Sequence, residues 1–201
     1  MRFVSLMSEN ALAFCHALAA YVARSVGADV DVVEDVPWQI AERQLYAGDA
    51  DLGVVCGLQY VRSYDRGDVP GVELLAAPVI AGARYECKPI HFSDVVVRAD
   101  SAAQSLLDLR GCTWAYNEPT SHSGYGLTRS WLASQGHNTN RFFGALTGSG
   151  AHLRSLDLLL DGDIDATAVD STVLEIELRC RPRLRKSLRV VATLGPSPIP
   201  P

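Results

Sequence analysis

The chain has 201 residues, a formal net charge of −5, 48% apolar residues and 20% charged ones. That balance is globular, fits one domain or two lobes of about 100 residues, and excludes a basic field for nucleic acid or anionic membrane. No run of about 20 apolar residues is present to span a bilayer. The opening "MRFVSLMSEN" lacks a basic segment followed by a long apolar one, so the reading is cytoplasmic as given, and periplasmic if a leader has been removed. In chain order, residues 2–7 read as a strand, Ser8 as a helix cap and 11–26 as a helix stopped by Gly27. A strand at 29–35, a helix opened by Pro37 over 37–47, a buried strand at 51–57 and a polar loop at 62–71 follow. Then come a strand at 92–100, a short helix at 102–109 and a strand at 113–117. A helix over about 124–134, a strand at 141–148 and a helix at 151–161 succeed them. A strand at 165–170, a helix at 171–179 and a last strand at 187–194 precede a proline-rich end. Strands alternating with helices predict an α/β fold with mostly parallel sheets.

One internal echo bears on domain organisation. "AGDADLGVVCG" (47–57) and "DGDIDATAVDS" (161–171) both give a helix end, Gly-Asp-x-Asp, a short buried strand and a small or polar residue, with Gly48 and Gly162 114 residues apart. The plainer reading is that Gly-Asp merely stops a helix. The fuller one is two similar α/β lobes.

The most crowded polar stretch is "YNEPTSHSGYGLTRSWL" (116–132), where Thr120, Ser121, His122, Ser123 and Gly124 separate a strand from a helix. A helix start leaves four N–H groups without partners and carries about half a positive charge. Hydroxyls there cap the turn and offer rotatable donors, and Gly124 lets a ligand approach the backbone. One serine suffices for capping, so the surplus points to an anion cradle built without lysine or arginine. A second such turn is "TGSGAHLRSL" (147–156), with Ser149 and with His152 in the first helical turn. A third is Asp170-Ser171. Ligands gather beyond the carboxyl ends of strands in α/β sheets, so the three turns are expected to converge on one cleft. Asp170 repels an anion unless the ligand carries a proton or an amine; otherwise it is a helix N-cap.

Several other chemistries fall away. Five scattered cysteines without a CxxC pair form neither a disulfide framework nor a zinc site, and Cys87 and His91 lack a second ligand pair. No dinucleotide fingerprint, Walker A sequence or GxSxG elbow is present. The basic stretch "RCRPRLRKSLR" (179–189) reads as a solvated edge. No cofactor and no metal are expected.

In "FSDVVV" (92–97), "DLRGCTWAYNEPTSHSGY" (108–125), "FFGALTGSGAHLRSL" (142–156), "DGDIDATAVDS" (161–171) and "LGPSPIPP" (194–201), the chain resembles the PhnD-like phosphate/phosphonate substrate-binding proteins of ABC transporters. "CGLQYV" (56–61) adds a weaker match, which brings in Tyr60. The resemblance implies the type 2 periplasmic-binding-protein fold, with two α/β lobes joined by two crossing strands near 85–95 and 186–194 and closing on an oxyanion. Lobe one is then 1–85 plus 188–201, and lobe two, with the main anion turns, 86–187. It implies that Ser121 and Ser123 hold the phosphonate oxygens and that His152, three before Ser155-Leu156, is the ligand histidine. Asp170 matches the acidic ligand residue. Ahead of Phe-Ser-Asp, where the family usually has tyrosine, stands His91. Members usually continue past "PSPIPP" with a helix that completes lobe one.

The expected function is therefore non-catalytic binding of a small phosphate- or phosphonate-like oxyanion in an interlobe cleft, as part of an ABC transport system with a permease as partner. Two alternatives are an enzyme on this fold using His91, His122 and His152 for acid–base chemistry, and a ligand sensor acting on a signalling partner.

Overall fold

A computed structural model describes residues 1–66 and 72–200. The chain divides into two compact units, Met1–Pro78 with Ile199–Pro201, and Val79–Pro198. The first unit contains β1 (Arg2–Ser5), a 3-10 turn at Glu9–Ala11, α1 (Leu12–Val26), β2 (Asp31–Val32), α2 (Trp38–Ala47), β3 (Leu52–Val54) and α3 (Gly57–Arg66). Its sheet runs β2-β1-β3, all parallel. Cys15 and Ala19, four apart on α1, turn inward, and Gly27 ends that helix at φ 69°, a conformation glycine adopts without a Cβ penalty. Two expectations shrink or change here. The strand expected over 29–35 pairs only at Asp31–Val32. The expected loop at 62–71 is helical up to Arg66, because the charged residues there lie on an amphipathic helix, and 67–71 are outside the described residues.

The second unit contains a 3-10 turn at Ala83–Tyr85, β4 (Ile90–Arg98), a 3-10 turn at Leu106–Leu109 and β5 (Thr113–Tyr116). A π-helical turn at His122–Gly126 leads into α4 (Leu127–Ser134). Then follow α5 (Thr139–Phe142), β6 (Ala145–Gly148), α6 (His152–Asp161), β7 (Ala166–Asp170), α7 (Ser171–Cys180), α8 (Leu184–Ser187) and β8 (Leu188–Pro198). The sheet order is β6-β5-β7-β4-β8. β5 is parallel to both neighbours, and β4 runs antiparallel between β7 and β8. Alternation along β4 sends Val95 and Val97 to one face, with Leu106, Trp114, Leu132 and Phe142. It sends Val96 to the other, with Leu156, Leu159, Val169 and Val173. Flanking helices thus bury both faces. The strand expected over 141–148 begins only at Ala145. Asn138 caps a helical turn over 139–142, its side chain accepting from Asn140 N at 3.0 Å. The expected lobe boundary also moves: 188–198 pairs along β4 as an edge strand of the second unit and does not join the first unit's sheet.

The Gly-Asp-x-Asp echo has a structural basis. Gly48 and Gly162 are left-handed helix ends at φ 78° and 85°. The Asp two residues beyond the next one then clamps the start of a neighbouring strand, β1 in the first unit and β5 in the second. Asp51 Oδ2 accepts from Arg2 N at 2.7 Å, and Asp165 Oδ2 accepts from Thr113 N at 2.8 Å and Thr113 Oγ1 at 2.7 Å. The order β2-β1-β3 recurs as β6-β5-β7, so the two units repeat one α/β design. The Thr113 bonds hold the Asp165 carboxyl below its ordinary range. Asp165→Ala is expected to lower unfolding free energy by about 1.5 kcal/mol, the low end for hydrogen bonds to a charged group. Asp51→Ala should cost less, since it has one bond at an exposed position. Urea titration of both variants checks the order.

Candidate anion site

In the second unit the carboxyl ends of β5, β6 and β7 share a sheet edge with the start of β4 and the end of β8. Each of the three turns that leave this edge opens a helix, and each opening is capped differently. At the first, Ser121 caps the π-helical turn, its Oγ accepting from Gly124 N at 3.1 Å. In that bond the Ser121 hydroxyl is the acceptor, so its own hydrogen is not used in the cap. At the third, Asp170 caps α7, Oδ1 accepting from Thr172 N at 2.9 Å and Thr172 Oγ1 at 2.8 Å. At the second, Ala151 supplies no side-chain cap, so the ten-residue helix α6 presents an open N-terminus at His152.

His152 is 7% exposed. Its Nε2 lies 3.4 Å from Ser123 Oγ, and its Nδ1 is buried with no hydrogen-bond partner. Burial pushes the imidazole pKa down to about 4, the Asp170 charge opposing that shift and His91 adding to it. The Ala168 carbonyl also favours the protonated ring but makes no hydrogen bond of good geometry to Nδ1. Gly124 packs tightly between this ring and Asn117: a Cβ there would stand 3.0 Å from His152 Cε1 and 1.8 Å from Asn117 Oδ1. The glycine is thus required by close approach. Asn117 Oδ1 is itself buried without a partner. Ser93 fixes the turn from below, donating its hydroxyl to the Ser123 carbonyl at 2.6 Å.

His91 and Asp170 form a buried pair, Nδ1 to Oδ2 2.5 Å, at 2% and 4% exposure. For Asp170 burial alone would raise the pKa. The hydrogen bond and charge of His91, with help from His152 and Thr172, outweigh it and bring the carboxyl down to about 2. The His122 ring lies 6.0 Å from that of His91, and its Nε2 is 3.0 Å from Ser197 Oγ on β8.

The turns therefore bring together Thr120, Ser121, His122, Ser123, Gly124, His91, His152, Asp170 and Ser171. Two of these do other work than expected. Asp170 has Oδ2 against His91 and Oδ1 accepting twice from Thr172, so it positions the histidine and caps α7. Ser171 Oγ accepts from Phe92 N at 3.0 Å and lies 3.2 Å from Tyr85 Oη, which ties β4 to α7. Tyr85 also donates to Glu175 at 2.8 Å, and burial is the main cause of its pKa rising to about 12. Ser149 is spent on its own turn, bonded to the Tyr116 and Ala151 carbonyls and 2.6 Å from Ser155 Oγ. Tyr60 belongs to the first unit, on α3, packed against the cluster of Val4, Ala41, Leu45, Ala50 and Val55. Asn117, Ser93 and Ser197 were not singled out from the sequence; all three lie inside the quoted motifs, but nothing in one sequence marks them. Among the described residues no cluster of three or more metal-ligating side chains exists.

A mixed α/β unit with three helix openings at one sheet edge, repeated in part by a second unit, is the architecture of the two-lobed periplasmic binding proteins. The chain belongs to the family of periplasmic substrate-binding proteins of phosphonate ABC transporters, whose model matches residues 5–201. Its fold is similar to that of the binding-protein component of an ABC phosphonate transporter from Pseudomonas aeruginosa, with TM-score 0.82 and 17% identity over 100% of this chain and 67% of that one. PhnD1 from Prochlorococcus marinus, solved with methylphosphonate, gives TM-score 0.74 and 18% identity over 98% and 72%. A Xanthomonas citri protein bound to ATP gives 0.69 and 20% over 100% and 74%. No curated protein sequence matches. The family is one of substrate-binding components of transporters, not of enzymes, so the acid–base reading of the histidines is set aside. No described helix is long and apolar enough to cross a membrane.

Proposed function

We propose that the second unit holds the phosphonate or phosphate group of a small ligand against the turn 120–124 and the open N-terminus of α6. The protein would deliver that ligand to an ABC permease. Thr120, Ser121 and Ser123 supply hydroxyl donors and His152 a ring nitrogen, while Gly124 gives the room in which Asn117 and His152 pack against the turn. His91 stands where relatives of this type usually carry tyrosine. The observation that supports this most is the buried His152, with an unpartnered nitrogen, beside the Ser123 hydroxyl at an uncapped helix start.

Methylphosphonate, phosphate and phosphite, titrated against thermal unfolding, test the reading. A ligand at one hundred times its Kd stabilises by about 2.7 kcal/mol. Ser123→Ala is expected to weaken binding of the best of them about tenfold, the value of one hydrogen bond to a charged group. If all three leave the melting curve in place, the ligand class is wrong.

A further inference from the structure

Three of the chain's five histidines, His91, His122 and His152, meet at this one edge. The three turns 117–126, 147–152 and 170–172 contain no lysine or arginine. Arg129, just beyond the first, donates to Tyr125 Oη at 2.8 Å, and Arg84 is held by Asp94 at 2.8 and 3.0 Å and by Glu175 at 3.4 Å. The fixed charge among the imidazoles is therefore the buried carboxylate of Asp170. Resting on the function proposed above, we propose that this histidine cluster takes up a proton from solvent when it takes up its anion, and so prefers a doubly charged oxyanion to a singly charged one of the same shape.

The argument is one of charge and donor geometry. A dianion placed beside a buried carboxylate puts three negative charges in a space of low polarity, where each repulsion is several times stronger than in water. The open start of α6 offsets about half a charge, and that of α7 is already spent on Asp170. The imidazoles are the groups able to supply the rest. His91 commits Nδ1 to Asp170, so its other nitrogen donates to an anion only if the ring holds a second proton. His152 differs: its Nε2 lies against the Ser123 hydroxyl, which can donate or accept, and its Nδ1 is buried and unpartnered. Burial keeps His152 uncharged in the free protein while the Asp170 charge pulls the other way, so an added anion shifts it toward the protonated form.

The groups facing the cluster are His91 from β4, His122 from the π-helical turn and His152 from α6. Asp170 faces it from β7 and Ser197 from β8. Tyr85 and Glu175 stand one residue further out, through Ser171. Because several rings share the charge, the uptake belongs to the cluster and not to one residue.

Calorimetric titration of the full chain with methylphosphonate near pH 7.5, in two phosphate-free buffers of different ionisation enthalpy, counts the protons taken up. The ligand's own ionisation enters wild type and variants alike. The expected result is a larger uptake for wild type than for His91→Gln or His152→Gln, each variant losing part of the proton that the rings share. Methanesulfonate, which stays singly charged, should bind more weakly than methylphosphonate and with less proton uptake. Circular dichroism confirms that the variants are folded. Asp170→Asn, which keeps an acceptor for His91, supplies a second comparison and should lower the count if the pair acts as proposed. Wild-type binding whose buffer dependence is accounted for by the ligand alone overturns this inference and leaves the function standing. Absence of binding by either anion overturns both.

Discussion

Asp170→Ala is expected to lower the unfolding free energy by about 3 kcal/mol, from the loss of buried hydrogen bonds to a charged group at about 1.5–3 kcal/mol each. The carboxylate accepts from His91 and twice from Thr172, at 4% exposure. Removing it leaves the His91 ring buried without its partner, uncaps α7 and loosens the junction of β4 with β7, where Ser93 stands opposite Asp170. Asp170→Asn keeps an oxygen for His91 and a cap for Thr172 and should lose less than half as much. Urea unfolding of the two variants separates the charge from the hydrogen bonds. An Asp170→Ala protein within about 1 kcal/mol of wild type would contradict the assignment of this pair as a structural support.

Acid is expected to weaken the fold in two successive windows. His152 has its pKa lowered from 6.5 to about 4. Between those values the unfolded chain binds a proton that the folded one does not, so stability falls as pH falls from 6.5 and levels off below about 4. The full effect is about 3 kcal/mol, from 1.36 kcal/mol for each unit. Asp170 follows, lowered from 3.8 to about 2: its contribution is complete above the higher value and lost as pH falls through the lower one. Unfolding free energies of wild type and His152→Gln, measured from pH 7 to pH 4, check the first window. The glutamine variant should show a flatter profile, and equal slopes would contradict the buried, neutral assignment. If the histidine cluster gains a proton with its ligand, saturating methylphosphonate should narrow or close this window, because it raises the folded-state pKa toward the unfolded value.

Much of the fold was readable because its signals are local. The continuous apolar run of β4 marks a strand buried on both faces, and the Gly-Asp-x-Asp echo marks two copies of one helix-to-strand joint. The surplus of hydroxyls at 120–123 marked the turn proposed above as an anion cradle, since capping needs one. What escaped depends on long-range pairing. His91 and Asp170 lie 79 residues apart and meet only because β4 runs antiparallel beside β7 in one particular register. Nothing at Asp170 itself distinguishes a carboxylate waiting for a ligand from one already satisfied. Ser197 reaches His122 because β8 joins the second unit's sheet, whereas a proline-rich end reads as a tail. Residues 62–66 were misread as loop because their charges outweigh, in simple composition, the helical spacing that places them on one face.

Amide chemical shifts followed during titration with methylphosphonate test the central claim most directly, because they report which backbone N–H groups meet the anion. Saturable shifts concentrated at Ser121, Ser123, Gly124, Ala151 and His152, with one common Kd, are the expected result. Shifts that are absent, or that concentrate at residues away from these turns, would contradict a site built from hydroxyls and open helix starts.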